Sequence, residues 1–208
     1  HDDHCDCGCC DDDDDDDESI AAAANREGNG QATVFIVEKL GCAHCAGKME
    51  EKIGKVILDT TCYPGKDLYS DGAIEDEMLA ISRDFAPEEF NRVISERKSW
   101  PILYHFSHIR ENILSWIPFT GEEKVLEIGS GCGAVTGALC ERAKEVTCIE
   151  LSMKRSKINA YRHQDQDNLK ILVGNFQEIE KNLTEKYDYI TLIGVFAVSY
   201  THLRAHET

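Results

Sequence analysis

The second half of the chain alternates strand-like and helical hydrophobic patterns, and this alternation limits the possible folds more than any other feature. Strands are predicted at 124–128, 145–150, 169–173 and 187–195, and the helices between them at 133–143, 153–163 and 176–183. Because strand, helix and strand in succession join neighbouring parallel strands by crossover connections, the pattern predicts an α/β protein with a parallel sheet. The chain supplies about four such strands, so we expect an incomplete sheet.

Helical patterns also precede this alternation. The first predicted helix covers 73–83, with Asp71 as its N-cap, and Pro87 and Pro101 are placed to open a second and a third. Proline is favoured in the first turn of a helix, where its missing N–H costs nothing. The α/β region is therefore expected to begin with helices, from about residue 62.

A glycine-rich loop follows the first strand of the alternation. Gly129, Gly131 and Gly133 lie where the strand gives way to a helix. Glycines there permit positive φ and close approach of backbone N–H groups to a ligand, and the helix N-terminus favours an anionic group. Gly129, Gly131 and Ala134 also satisfy the dinucleotide pattern G-x-G-x-x-G/A, so the loop by itself leaves an NAD-type cofactor open.

Two acidic residues accompany the loop. Glu127 precedes Gly129 by two positions, and Glu150 ends the next strand, where its carboxylate can accept both hydroxyls of a ribose. The E-x-G-x-G-x-G arrangement, with an acid ending the second strand, resembles the S-adenosylmethionine-binding region of class I methyltransferases. The resemblance covers about residues 62–197 and implies a Rossmann-like sheet.

This resemblance implies roles for individual residues. The methionine part of S-adenosylmethionine would be surrounded by Glu127, Gly129, Ser130, Gly131 and Gly133. Glu150 would bind the ribose, while Asn175 and Phe176 stand where the family contacts the adenine. Arg110, on a helix before the first strand, either meets the cofactor carboxylate or lies on a solvated face. No catalytic residue is assigned.

The family sheet has seven strands, of which the sequence supplies four. The strands that are absent contribute to the acceptor site in the family, so weak or absent catalysis is expected even if the cofactor binds. The methyl acceptor is not predicted.

A CxxC segment lies earlier in the chain. Cys42 and Cys45 follow a predicted strand at 32–38 and begin a predicted helix that ends near Gly54. Two thiols at this spacing suit one soft ion, Zn(II), Cd(II) or Cu(I), although a thioredoxin-like redox pair has the same spacing. The segment resembles the first part of the heavy-metal-associated domain of heavy-metal-translocating P-type ATPases, with both cysteines as ligands. A truncated strand-loop-helix metal-binding domain is therefore expected over 31–56.

Charge is distributed unevenly. Eleven acids before residue 19 account for most of the net charge of −17, and residues 1–30 are predicted to be a disordered acidic tail rich in Cys, His and Asp. Elsewhere the bases are scattered among acids, so no nucleic-acid footprint is expected. No apolar run reaches the roughly 18 residues that span a bilayer, which predicts no membrane segment and a cytoplasmic protein.

The last eleven residues, 198–208, resemble one reading frame of a sequencing adapter and are excluded from the predicted fold. Two functions remain. One is an S-adenosylmethionine-dependent methyltransferase, represented by its cofactor-binding half and fused to a soft-metal segment. The alternative is a heavy-metal-binding module of a Zn, Cd or Cu transport ATPase or a metallochaperone, the whole being a chimeric open reading frame. The expected partners are S-adenosylmethionine, an unknown methyl acceptor and a metal ion.

Overall fold

The computed structural model describes residues 50–195, which are built around a six-stranded sheet. The strands are β1 (Glu50–Ile53), β2 (Val56–Asp59), β3 (Lys124–Ile128), β4 (Glu145–Glu150), β5 (Leu169–Val173) and β6 (Tyr189–Thr191). They lie in the order β1-β2-β5-β4-β3-β6, and all neighbouring pairs are parallel except β1 with β2. The predicted Rossmann-like α/β fold is confirmed.

Helices cover the sheet and precede its central strand. They are α1 (Ala73–Asp84), α2 (Phe90–Arg97), α3 (Trp100–Phe106), α4 (Thr136–Cys140), α5 (Met153–Arg162) and α6 (Phe176–Ile179). Short 3-10 segments occur at Pro87–Glu89, His108–Leu114 and Glu180–Asn182. Gly72, not Asp71, is the N-cap of α1, because the Asp71 carboxylate pairs with Arg155 instead.

The first two strands overturn the secondary structure predicted around residue 50. The spacing of Cys45, Met49 and Ile53 predicts a helix that ends near Gly54, but Glu50–Ile53 pairs antiparallel with β2. Gly54, with φ of 58°, forms the turn of this hairpin. Pairing of β2 with β5 buries apolar side chains of the hairpin and outweighs the local helical spacing. The sheet therefore extends into the range 31–56 that was assigned to a metal-binding domain.

The hydrophobic core has one part on the sheet and another among the helices. The helical part joins α1, α2 and α3 to α5 through Met78, Ile81, Phe90, Val93, Ile102, Phe106, Cys132 and Ile158. Phe90 and Phe106 meet edge to face, with ring centroids 4.8 Å apart. This packing fixes α3 beside the carboxyl end of the sheet, where the functional residues lie.

The strand order reverses direction at β3. The chain steps from β3 to β4 and β5 on one side and then returns to place β6 on the other side of β3. Ligands of open α/β sheets bind outside the carboxyl ends of the strands at such a reversal. The topology therefore directs attention to the loops that follow β3 and β6.

Several predictions concern residues other than those described. The acidic tail at 1–30, the CxxC pair Cys42 and Cys45, and the adapter-like end at 198–208 all lie outside the described residues. Between residues 50 and 195, no helix has the length and apolarity needed to cross a membrane.

Candidate cofactor-binding site

A cavity of about 520 Å³ opens at the carboxyl ends of the parallel strands. Seven of the eight residues predicted to bind the cofactor line it: Glu127, Gly129, Ser130, Gly131, Glu150, Asn175 and Phe176. Gly194, which follows β6, also lines the cavity. The structure thus brings together residues from four separate strand ends, as the topology requires.

The three loop glycines all have positive φ, but Gly131 and Gly133 have different surroundings. A Cβ on Gly131 would meet nothing within 4 Å, so this position faces open space in the cavity. A Cβ on Gly133 would come 2.2 Å from Asn159 Oδ1, because the loop packs tightly on α5 there. Gly133 is not among the residues that line the cavity. Its Cα faces the Asn159 side chain of α5, and its predicted contact with the methionine part of a cofactor stays a prediction.

The Glu150 carboxylate is fixed at the cavity wall by two backbone groups. The Gly131 N–H donates to Oε2 at 2.8 Å, and the Ser152 N–H donates to Oε1 at 3.0 Å. The residue is only 7% exposed, and burial raises the pKa of its carboxyl although these hydrogen bonds oppose the effect. Each oxygen keeps further acceptor capacity, which suits a diol such as the ribose hydroxyls.

Glu127 lies deeper, behind the glycine loop, in a buried polar network. Its Oε2 accepts from Thr136 Oγ1 at 2.6 Å and from Cys148 Sγ at 3.3 Å. Asn159 Nδ2 in turn donates to Thr136 Oγ1 at 3.2 Å, which links β3 to α5. Burial raises the pKa of Glu127 to about 7. The network holds the loop against the helix and sets the position of the Glu127 carboxyl.

Replacement of Glu127 by glutamine is expected to remove a pH dependence of stability. The unfolded carboxyl loses its proton near pH 4.5 while the folded one keeps it to about pH 7, so the folded wild type loses stability as pH rises between these values. The difference in the free energy of unfolding, Glu127→Gln minus wild type, should therefore be larger at pH 8 than at pH 5. Urea unfolding at the two pH values measures this.

Glu123→Gln is the control for this measurement. Hydrogen bonds from Thr120 and Gly121 lower the pKa of Glu123 to about 2, so its contribution is constant between pH 5 and pH 8 and is lost only in acid. A difference between Glu127→Gln and wild type that is equal at both pH values would contradict the raised pKa.

The helical wall of the cavity was largely missed by sequence reasoning. Tyr104, His105, Arg110 and Arg155 line it, together with the predicted residues. Burial and the nearby cationic Arg155 and Arg110 lower the pKa of His105 to about 4, so its ring is neutral at pH 7. The sequence left Arg110 either at the cofactor or on a solvated helix face, and the structure places it at the cavity. Helical periodicity shows which face is buried, but not which helix reaches the end of the sheet.

The described residues provide no metal centre. Between residues 50 and 195 no group of three or more His, Cys, Asp or Glu is placed to hold a metal ion. Cys62, Cys132, Cys140 and Cys148 are free thiols, and burial raises the pKa of both Cys132 and Cys140 to about 12. The soft-metal site at Cys42 and Cys45 stays a prediction.

The parallel sheet has an α/β Rossmann-like fold, with the glycine loop after β3 and the carboxylate ending β4 at its ligand-binding edge. Residues 106–197 match the family model described as ribosomal RNA adenine dimethylase. The chain is 32% identical over 100 residues to ribosomal RNA small subunit methyltransferase A of Borreliella burgdorferi (strain ZS7). This alignment covers 48% of this chain and 36% of the relative.

Two further proteins are similar to parts of the chain. Protein-L-isoaspartate O-methyltransferase of Dictyoglomus turgidum is 38% identical over 80 residues, 36% of either chain. A solved rRNA methylase from Streptococcus thermophilus superimposes with a TM-score of 0.36 at 19% identity, covering 48% of this chain and 60% of that one. The chain spans about a third of the length of the two curated relatives named here.

Proposed function

We propose that the chain carries the cofactor-binding part of an S-adenosylmethionine-dependent methyltransferase that acts on adenine in RNA. The observation that carries this proposal is the buried Glu150 carboxylate, which two backbone N–H groups hold beside the open face of Gly131. A buried acid at the end of β4 is suited to a ribose, and the family match over 106–197 supports the same ligand.

The residues around the cavity fit S-adenosylmethionine. Ser130 Oγ is buried and has no hydrogen-bond partner among residues 50–195, so a polar group of the ligand would satisfy it. The open face of Gly131 leaves room for the methionine part, and the Arg110 guanidinium lies on the same cavity. Each of these features is explained by a ligand with a carboxylate, an amine and a ribose.

The adenine end of the cofactor would lie after β5. Asn175 caps α6, where its Oδ1 accepts from the Gln177 N–H at 3.0 Å, so its amide NH2 is the group left to donate to the adenine edge. Phe176 is 36% exposed and lines the cavity, so its ring can pack against the base.

The bound cofactor would supply a methyl group made electrophilic by the neighbouring sulfonium. The chain's own contribution is to hold the reactants in line and to exclude water, because methyl transfer needs positioning more than covalent catalysis. His105 lies on the cavity as a neutral ring and can accept a proton, although its lowered pKa of about 4 makes it a weak base.

An RNA acceptor replaces the expectation of no nucleic-acid ligand. The family model and the Borreliella burgdorferi relative are named for ribosomal RNA, and the model for adenine. The chain also has a stretch from Arg97 to Arg110 that contains three Arg or Lys and no acid. The scatter of bases over the whole chain hides this local excess.

Calorimetry of S-adenosylhomocysteine binding to the full chain tests the cofactor assignment. We expect a saturable heat with one site per chain, because the cavity presents one ribose-binding carboxylate. Absence of heat at millimolar ligand would overturn the cofactor assignment and with it the proposed methyl transfer.

Transfer of radiolabelled methyl groups tests the acceptor. Unmodified small-subunit ribosomal RNA is incubated with labelled S-adenosylmethionine and the full chain, and the label is located by nucleoside digestion. We expect label in adenosine. Cofactor binding with label in added protein instead would overturn the RNA acceptor and leave the cofactor assignment standing.

A further inference from the structure

Two aromatic side chains on α3 are exposed beside the cavity. Trp100 is 72% exposed and Tyr104 is 41% exposed, with ring centroids 6.2 Å apart and planes inclined by 35°. They are four residues apart and so share one face of the helix. Ile102 and Phe106, on the opposite face, are buried in the core. Packing of α3 therefore does not require aromatic residues at positions 100 and 104.

Within this aromatic pair, Trp100 lies on the surface and Tyr104 lies at the cavity. Tyr104 lines the cavity, and the Arg110 guanidinium lies 4.2 Å from the centre of its ring. A Cβ on Gly194, after β6, would lie 3.9 Å from the Tyr104 hydroxyl. Tyr104 thus lies beside the end of β6, and Trp100 lies next to it on the exposed side of α3.

Basic residues adjoin the pair in the sequence. Arg97 and Lys98 end α2 directly before Trp100, and no acid occurs between them and Arg110. Lys98 is exposed and forms no ion pair within residues 50–195, while Arg97 pairs with Glu77 at 3.4 Å. In a chain of net charge −17, this is a local surface that attracts phosphates.

We propose that Trp100 and Tyr104 form a stacking platform for the bases of single-stranded RNA next to the acceptor nucleotide; this rests on the proposed RNA acceptor. An enzyme that modifies a base must take it from its stack, and flat aromatic rings beside cationic side chains bind unstacked bases. An apolar protein partner could bind to aliphatic side chains and would not need the basic residues Arg97, Lys98 and Arg110 nearby.

The two tryptophans of the chain allow a direct optical test. Trp116 is 78% exposed and neither tryptophan lines the cavity, but only Trp100 lies against Tyr104, so Trp116 is a matched reference for Trp100. In Trp116→Phe the only indole is Trp100, and we expect its fluorescence to be quenched on titration with an adenine-containing single-stranded oligoribonucleotide. In Trp100→Phe the remaining Trp116 should show no quenching. Equal quenching in both variants, or none in Trp116→Phe, would overturn the platform.

Affinity provides the second readout. Fluorescence anisotropy of a labelled oligoribonucleotide should show about tenfold weaker binding by Trp100→Ala, since stacking on an aromatic ring commonly contributes about that factor or more. Trp100→Phe should keep most of the affinity, and Trp116→Ala should bind as wild type. S-adenosylhomocysteine binding should be unchanged in all three, because neither Trp100 nor Trp116 is among the residues that line the cavity.

The possible failures are distinguishable. Wild-type RNA affinity in Trp100→Ala would overturn the platform but not the RNA acceptor. A wild-type chain that binds S-adenosylhomocysteine but no oligoribonucleotide would overturn both the RNA acceptor and the platform. Absence of S-adenosylhomocysteine binding in the wild type would overturn the cofactor assignment instead.

Discussion

Gly131→Asp is expected to weaken S-adenosylhomocysteine binding by more than about a hundredfold, which removes the calorimetric heat at ordinary concentrations. The new side chain would project into the cavity, since a Cβ at this position meets nothing within 4 Å. Its carboxylate would lie next to Glu150, which already accepts from the Gly131 N–H at 2.8 Å. Placing like charges together costs several kcal/mol, and the ribose hydroxyls would lose their acceptor geometry.

Gly121→Asp is the matched control for this experiment. Gly121 has φ of 89° compared with 56° at Gly131, and it too has nothing within 4 Å of a Cβ, but it lies on an exposed turn outside the cavity. Both variants therefore carry the cost of a side chain at positive φ, about 1 kcal/mol. Gly121→Asp should bind the ligand as wild type does. Wild-type heat in Gly131→Asp would show that the ligand lies elsewhere.

The features that could be predicted are those encoded locally. The β3 strand and its glycine loop lie within ten residues of each other, and Glu150 ends a strand whose hydrophobic run is continuous in the sequence. In a parallel sheet the strand ends meet at one edge, so the cavity follows once the strands are known. For this reason, seven of the eight predicted residues line one cavity.

The features that could not be predicted depend on distant partners. Leu58 of β2 lies opposite Ile171 of β5, more than a hundred residues away. This pairing anchors the hairpin whose first strand, β1, forms where the local spacing favours a helix. Gly133 has the same residue type and a similar φ to Gly131, yet one packs on Asn159 and the other faces the cavity. Only the docking of α5 distinguishes the two glycines.

Loss of the buried Glu75 side chain is expected to have the largest effect on stability. Glu75 is fully buried, and its carboxylate accepts from Arg155 Nε at 2.7 Å and from Ser70 Oγ at 2.6 Å. This ion pair joins α1 to α5, and Arg155 also lines the cavity. Glu75→Ala leaves the guanidinium without its buried partner, which typically costs about 3–5 kcal/mol of the free energy of unfolding.

Asp76→Ala tests whether burial of the ion pair is the reason for the large loss of stability expected in Glu75→Ala. Asp76 adjoins Glu75 in α1 and pairs with Lys154 of α5 at 2.7 Å, but its side chain is 66% exposed. An exposed pair contributes about 1 kcal/mol or less, so urea unfolding should show a small loss in Asp76→Ala and a large one in Glu75→Ala. Similar small losses in both variants would mean that Asp71 satisfies Arg155 by itself. The docking of α1 would then depend on the apolar contacts of Met78 and Ile81.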